Sequence, residues 1–187
     1  MPAIPDPGEP LCDDHVGVRL AAERDIPEVL IAHQEDPGLA SALGLERPPS
    51  GAQLGREMEE ATALRAAGSA VTLTILAPGA EDCRGQIRAD RFDWEHAHAN
   101  IAIWVAPDAR GRGLGRHALA LASDWLIAAC GLVRVQLLSP PGNEPAIRAA
   151  LAAGFTREGV LRAYARAHGV RADAAVLSRT AADAARP

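Results

Sequence analysis

Between Trp104 and Arg116 a β-type run gives way, through a glycine-rich loop, to a long amphipathic helix, and few folds accommodate such a junction. The segment reads Trp104-Val105-Ala106-Pro107-Asp108-Ala109-Arg110-Gly111-Arg112-Gly113-Leu114-Gly115-Arg116. Ahead of it, Ala99 to Val105 has strand composition. Behind it, Leu114, Ala118, Leu121, Trp125 and Ala128 follow a helical stripe to Cys130, and Gly131 stands where a helix stops. A strand feeding a helix in this way belongs to an α/β domain. The start of such a helix offers free N–H groups and the positive end of a dipole, and glycines let a phosphate approach the backbone. Arg110, Arg112 and Arg116 add positive charge. A diphosphate ligand is the natural expectation. A Gly-Arg corner or an RGG-like RNA contact stays open from this loop alone. Glycines at every second position match neither GxGxxG nor, in a chain without lysine, GxxxxGK[ST].

The rest of the chain supports an α/β reading. Val16 to Leu20 predicts a strand, and Asp25 sits near the cap of a helix reaching about His33. Ala52 to Ala67 predicts a second helix ended by Gly68. The period then changes, with strands expected over 70–76, 84–91 and 99–105. Leu132 to Leu138 predicts a buried strand, and Asn143 caps a helix running to Ala153. Thr156 to Ala167 and Val170 to Arg179 read as two strands joined at His168-Gly169. The order is β-α-α-β-β-β-α-β-α-β-β, a single mixed α/β domain over 16–180, with a loose N-terminal tail at 1–15 and a short tail at 181–187.

Composition narrows the function. No apolar run approaches the roughly 20 residues of a membrane helix, and the proline-rich start lacks the basic and apolar regions of a secretory signal. A cytoplasmic protein is expected. Cys12, Cys83 and Cys130 show no paired spacing, so free thiols are expected and no metal site. All nineteen basic residues are arginine. The charge is asymmetric: residues 1–100 carry 8 Arg against 18 acids, a net of −10, and residues 101–187 carry 11 Arg against 6 acids, a net of +5. The second half suits a polyanionic ligand and the first a cationic one. The overall net of −5 argues against a nucleic-acid binder.

Arg110-x-x-Gly113-x-Gly115 resembles the [QR]-x-x-G-x-[GA] motif of GNAT N-acetyltransferases. The downstream residues Asn143, Gly154-Phe155-x-x-Glu158-Gly159-x-Leu161-Arg162, Gly169 and Asp173 are similar to the subgroup related to ribosomal-protein N-terminal acetyltransferases of the RimJ/RimL type. The resemblance spans roughly Val18 to Thr180. It implies a mixed sheet of about six to seven strands flanked by about four helices. Two parallel strands would splay apart, one ending near Val105 and the other covering Leu132 to Leu138. Acetyl-CoA would be the co-substrate, its pantetheine beside Trp104 and Val105. Its pyrophosphate would rest on Arg110, Gly111, Arg112, Gly113, Leu114, Gly115 and Arg116, with Asn143 close by. A primary amine, on a protein N-terminus or a small molecule, would attack the thioester directly. Two-copy assembly is common among similar proteins, so a homodimer is a partner to consider, although no hydrophobic stripe demands one.

The chain departs from the family pattern where proton transfer is concerned. A Glu that many relatives carry just before the Ile-x-x-Trp run is Asn100, the Ser three residues after the capping Asn is Ala146, and a Tyr used by other branches is Ala150. Direct attack still requires a neutral amine. Tyr164, the only tyrosine, and Glu95, in the loop before the third central strand, are the catalytic candidates. His33 and Glu35, ending the first helix, and Asp93, His96 and His98 are weaker ones. Trp94 and Trp104 are candidates to shape the acceptor pocket. The missing acids motivate an alternative, a non-catalytic acyl-CoA-binding sensor.

Overall fold

Asp25 introduces the fold, because its carboxylate does something other than cap a helix. In the computed structural model, which describes residues 2–167 and 170–184, Asp25 is 2% exposed. It accepts Arg19 Nη1 and Nη2 at 2.9 and 2.6 Å, the Thr74 hydroxyl at 2.6 Å and the Ala22 N–H at 3.0 Å. It makes no side-chain bond to the helix start. The cap expected of it is replaced by a clamp joining the first helix to two strands. Burial alone would raise its pKa, but Arg19, Thr74 and Ala22 together hold it below the ordinary carboxylate value.

The elements in chain order are β1 (Leu11–Cys12), β2 (Gly17–Leu20), α1 (Ile26–Glu35), α2 (Leu39–Ala42), α3 (Gly51–Ala66), β3 (Ala70–Leu76), β4 (Cys83–Asp93) and β5 (His98–Val105). Then come α4 (Leu114–Cys130), β6 (Arg134–Ser139), α5 (Glu144–Ala152), β7 (Thr156–Ala167), β8 (Val170–Thr180) and α6 (Ala181–Ala184). The strands form one sheet of order β1-β2-β3-β4-β5-β6-β8-β7, antiparallel except for the β5–β6 pair. The predicted elements are all present. The additions are β1, α2 and α6, of two to four residues each, too short to leave a periodic signal. The turn expected at His168-Gly169 lies outside the described residues.

The two faces of the sheet are covered unequally. Leu119, Leu126 and Ile147 of α4 and α5 bury one face with Leu73, Ile87, Ile101, Val135, Leu137 and Leu177. On the other, Val29, Ala32, Leu39 and Leu54 pack over Cys83, Trp104 and Ala106. The α4 stripe turns slightly from the predicted one: Leu119, Ala122 and Leu126 are buried and Ala128 is exposed, because the helix packs through two adjacent rows. The start of the chain is less loose than expected. Ile4 is 1% exposed and its N–H bonds to Arg65 O at 3.0 Å, while Leu11–Cys12 pairs with β2. Among the described residues no helix is long and apolar enough to cross a membrane.

Replacing Asp25 by Ala strands the Arg19 guanidinium in a buried place. We expect a loss of about 3–5 kcal/mol, read by chemical denaturation. Thr74→Val, which removes one of the donors, is expected to cost less, about 1 kcal/mol.

Candidate active site at the splayed strands

The parallel pairing of β5 and β6 runs from His98↔Arg134 to Ile101↔Leu137 and stops there. β5 continues to Val105, held on its far edge by β4 as far as Gly85↔Val105. β6 continues to Ser139, held by β8 as far as Ser139↔Ala175. The carboxyl ends of two parallel neighbours therefore diverge. Ala106 N donates to Arg84 O, so strand alternation turns the groups of Trp104 toward β4 and those of Ile103 and Val105 toward the gap. A Cβ added at Gly85 would meet Trp104 O at 2.3 Å, which agrees. The open edge expected at Trp104 and Val105 thus belongs to Ile103 and Val105. Trp104 itself is 9% exposed and packed under α1 and α3.

The glycine loop follows directly. Gly111 and Gly113 have φ of 75° and 84°, left-handed values that favour glycine. Arg116 N and His117 N bond back to Gly113 O at 3.1 and 3.3 Å. Among the described residues no backbone acceptor reaches the N–H groups of Leu114 and Gly115, as at any helix start. A Cβ on Gly115 would lie 3.5 Å from Val105 Cγ2 and 3.9 Å from Ala149 Cβ, so α4 begins in contact with the gap and with α5. Asn143 caps α5, its Oδ1 accepting Ala146 N at 3.4 Å.

The arginines divide. Arg112 and Arg116 are exposed beside the loop. Arg110 is anchored: its Nε donates to Val105 O at 2.9 Å and its Nη2 meets Asp36 at 2.6 Å. That contact holds Asp36 below the ordinary carboxylate value. Arg84 fixes the same turn through Asp108 at 3.0 Å. Arg110 and Asp36 stand 74 residues apart, and no sequence signal links them.

The two catalytic candidates are not brought together. Glu95 lies in the exposed turn before His98, at the amino end of β5, where β5 and β6 are still paired. At 3.3 Å per residue that end of β5 is about 23 Å from Val105, far from where the two strands diverge. Asp93, His96 and His98 share that end; His96 meets Asp93 at 2.9 Å and His98 meets it at 3.6 Å. Trp94 is there too, bonding Gly68 O at 2.9 Å and stacking on Phe92. Tyr164 lies at the other end of the sheet, where β5 and β6 diverge. Its strand passes beyond the end of β6, with three residues of β7, 162–164, bulged opposite Asp173, whose Oδ1 accepts Ala163 N at 2.8 Å. Tyr164 is 45% exposed, and β6 and β8 separate its strand from β5.

On the face opposite α4, a polar chain crosses the sheet beside the gap. Gln136 Nε2 donates to Asn100 Oδ1 at 2.7 Å, and Arg134 donates to Gln136 and, at 2.7 and 2.6 Å, to both Glu158 oxygens. Ser178 Oγ donates to Glu158 at 2.7 Å. Arg134 and Ser178 lower the Glu158 pKa from 4.5 to about 2. A depressed acid stabilises the fold above its ordinary pKa and loses that contribution as pH falls through it. The stability gap between the parent and Glu158→Gln, followed by thermal melts, is therefore expected to be widest above about pH 5 and to close toward about pH 2.

Among the described residues, no group of three or more His, Cys, Asp or Glu is gathered to hold a metal ion. Burial pushes the Cys83 thiol up to about 12 and the Cys130 thiol to about 11, which keeps both protonated.

Residues 15–156 match the acetyltransferase (GNAT) domain family. The chain is 22% identical over 156 residues to the uncharacterized N-acetyltransferase p20 of Bacillus licheniformis, covering 83% of this chain and 88% of that protein. It superposes on Mycobacterium smegmatis RimJ in complex with CoA-disulfide with a TM-score of 0.81 at 22% identity, over 91% of this chain and 84% of that one. With spermidine N-acetyltransferase from Vibrio cholerae, in complex with CoA and spermine, the TM-score is 0.78 at 17% identity, over 93% and 100% of the two chains. Strand splay, glycine loop and family match coincide, and the chain belongs to the GNAT acetyltransferase family.

Proposed function

We propose that this chain uses acetyl-CoA as donor and moves the acetyl group directly to a primary amine, on a protein N-terminus or a small molecule. The observation that carries the reading is the end of β5–β6 pairing at Ile101↔Leu137, immediately before a helix whose first N–H groups lack backbone acceptors. The pantetheine, itself a chain of amides, has its partners in the edge groups of Ile103 and the N–H of Val105, whose carbonyl is held by Arg110. The pyrophosphate has its partners in the loop from Gly111 to Arg116, with Arg112 and Arg116 beside it and Asn143 across the gap. Arg110 holds that loop in place rather than meeting the phosphates. The CoA-bound RimJ and spermidine N-acetyltransferase superpose over nearly the whole chain, which supports the same donor.

Charge supports an amine. The acidic first half supplies α1 and α3, which overlie the Trp104 face, and the basic second half supplies the loop and α4. A cationic acceptor and an anionic donor would then approach from opposite faces. Tyr164, at the opening end of the sheet, is the candidate to meet the departing thiolate. Positioning two reactants accounts for much of the rate in such a transfer.

Acetyl-CoA at about a hundred times its dissociation constant is expected to stabilise the fold by about 2.7 kcal/mol, seen as a rise in melting temperature. Gly113→Glu puts a side chain and a negative charge on a left-handed residue in the cradle, and is expected to abolish the rise. No rise with any CoA species would overturn the donor assignment. Stabilisation without CoA release, for any amine of a broad panel, would instead make the chain an acyl-CoA sensor, the second reading that Asn100, Ala146 and Ala150 motivate.

A further inference from the structure

His33, in the last turn of α1, is 6% exposed, and its Nδ1 has no hydrogen-bond partner. Buried polar atoms are nearly always paired, and His33 Nδ1 is one of six buried side-chain atoms without a hydrogen-bond partner among the described residues. Its position sets it apart. Val29, Ala32, His33 and Asp36 follow three- and four-residue spacing and share one side of α1. Val29 and Ala32 pack with Trp104, Ala106 and Ala109. Asp36 grips Arg110, which also holds Val105 O. His33 therefore lies in the wedge between α1 and the carboxyl end of β5, on the face opposite α4. The acceptor would meet the thioester there.

The charged and titratable groups around it are few. Asp36 acts on the ring electrostatically and is itself paired with Arg110. Glu28 stands earlier on α1, and Cys83, on the β4 strand against which α1 packs, stays a neutral thiol. Burial outweighs the pull of Asp36 and lowers the imidazole pKa below its ordinary value, so at neutral pH the ring is uncharged and keeps a lone pair.

Resting on the transfer reading above, we propose that His33, with an unpartnered Nδ1 in the α1–β5 wedge, is the catalytic proton acceptor for the attacking amine. The amine nitrogen forms the C–N bond to the thioester carbonyl carbon as the C–S bond breaks. The nitrogen becomes acidic as the bond forms and gives its proton to His33, directly or through one water. The imidazolium passes that proton to the departing thiolate, which leaves as CoA thiol, and the ring returns to neutral. The role falls to α1 because Asn100 of β5 and Ala146 and Ala150 of α5 carry no group that takes a proton at neutral pH.

The test uses the full chain, acetyl-CoA, and spermidine and a short peptide with a free N-terminus as acceptors, with CoA thiol release as the readout. His33→Gln is expected to keep the acetyl-CoA thermal shift and the KM for acetyl-CoA. Its kcat should fall by roughly tenfold or more, and the residual rate should climb with pH as the free-amine fraction grows. Imidazole added to His33→Ala is expected to restore part of the rate. A His33→Gln variant within about twofold of the parent, with the same pH profile, overturns the assignment and leaves the transfer reading intact. Loss of the thermal shift in both variants also overturns it, since His33 would then serve packing. A parent that binds acetyl-CoA yet releases no CoA with any amine of the broad panel overturns both readings at once. A parent that shows no acetyl-CoA shift places the failure in the donor site.

Discussion

Two strands that run side by side and then part must be restrained from outside, because every unpaired backbone group along the opening is a lost hydrogen bond. Here β4 follows β5 to Val105 and β8 follows β6 to Ser139, so each diverging strand keeps a full ladder on its far edge. The first turn of α4 supplies the wedge, with Gly115 against Val105 and Ala149. A Cβ at 115 would only make van der Waals contact there, and side chains longer than that of alanine would press the helix away from the strand. The gap is thus a packed feature of the fold, with the edge of β5 facing it and one of the exposed carbonyls, that of Val105, satisfied by Arg110.

Arg110 shows how one residue of a binding motif serves geometry. Its guanidinium joins the end of β5 to Asp36, so the glycine loop and the end of α1 share one ion pair. The pair is half exposed and of modest energy by itself. Its effect is positional, in that it sets the end of α1 against the mouth of the gap.

The sequence was legible where residues act through local rules. The strand–loop–helix junction, the glycine that ends α4, the α5 cap and the order of the main strands could all be read from spacing and composition. Contacts between distant segments were not legible. Asp25 looked like a helix cap because its neighbours are Ile26 and Pro27, yet Thr74, 49 residues away, claims it. Glu95 looked near the site because its loop adjoins β5, but adjacency in sequence does not say which end of a strand a ligand uses. Trp104 looked like the edge residue, and only the bond from Ala106 to Arg84 shows which way alternate residues face. Tyr164 could be placed on its strand but not at its height above the end of β6, because a bulge sets that height.

The sheet order carries a consequence for how the chain reaches this state. β8 lies between β6 and β7, although it is the last strand to be made. Until it arrives, β6 has only its short parallel ladder to β5, and nothing secures the outer edge of the opening. On a ribosome, the glycine loop and the whole of β5 can settle while the other wall of the gap is still unsupported. Pairings between residues as far apart in sequence as Val135 and Arg179 are slow to form. The donor cleft is therefore among the last parts of the molecule to take shape.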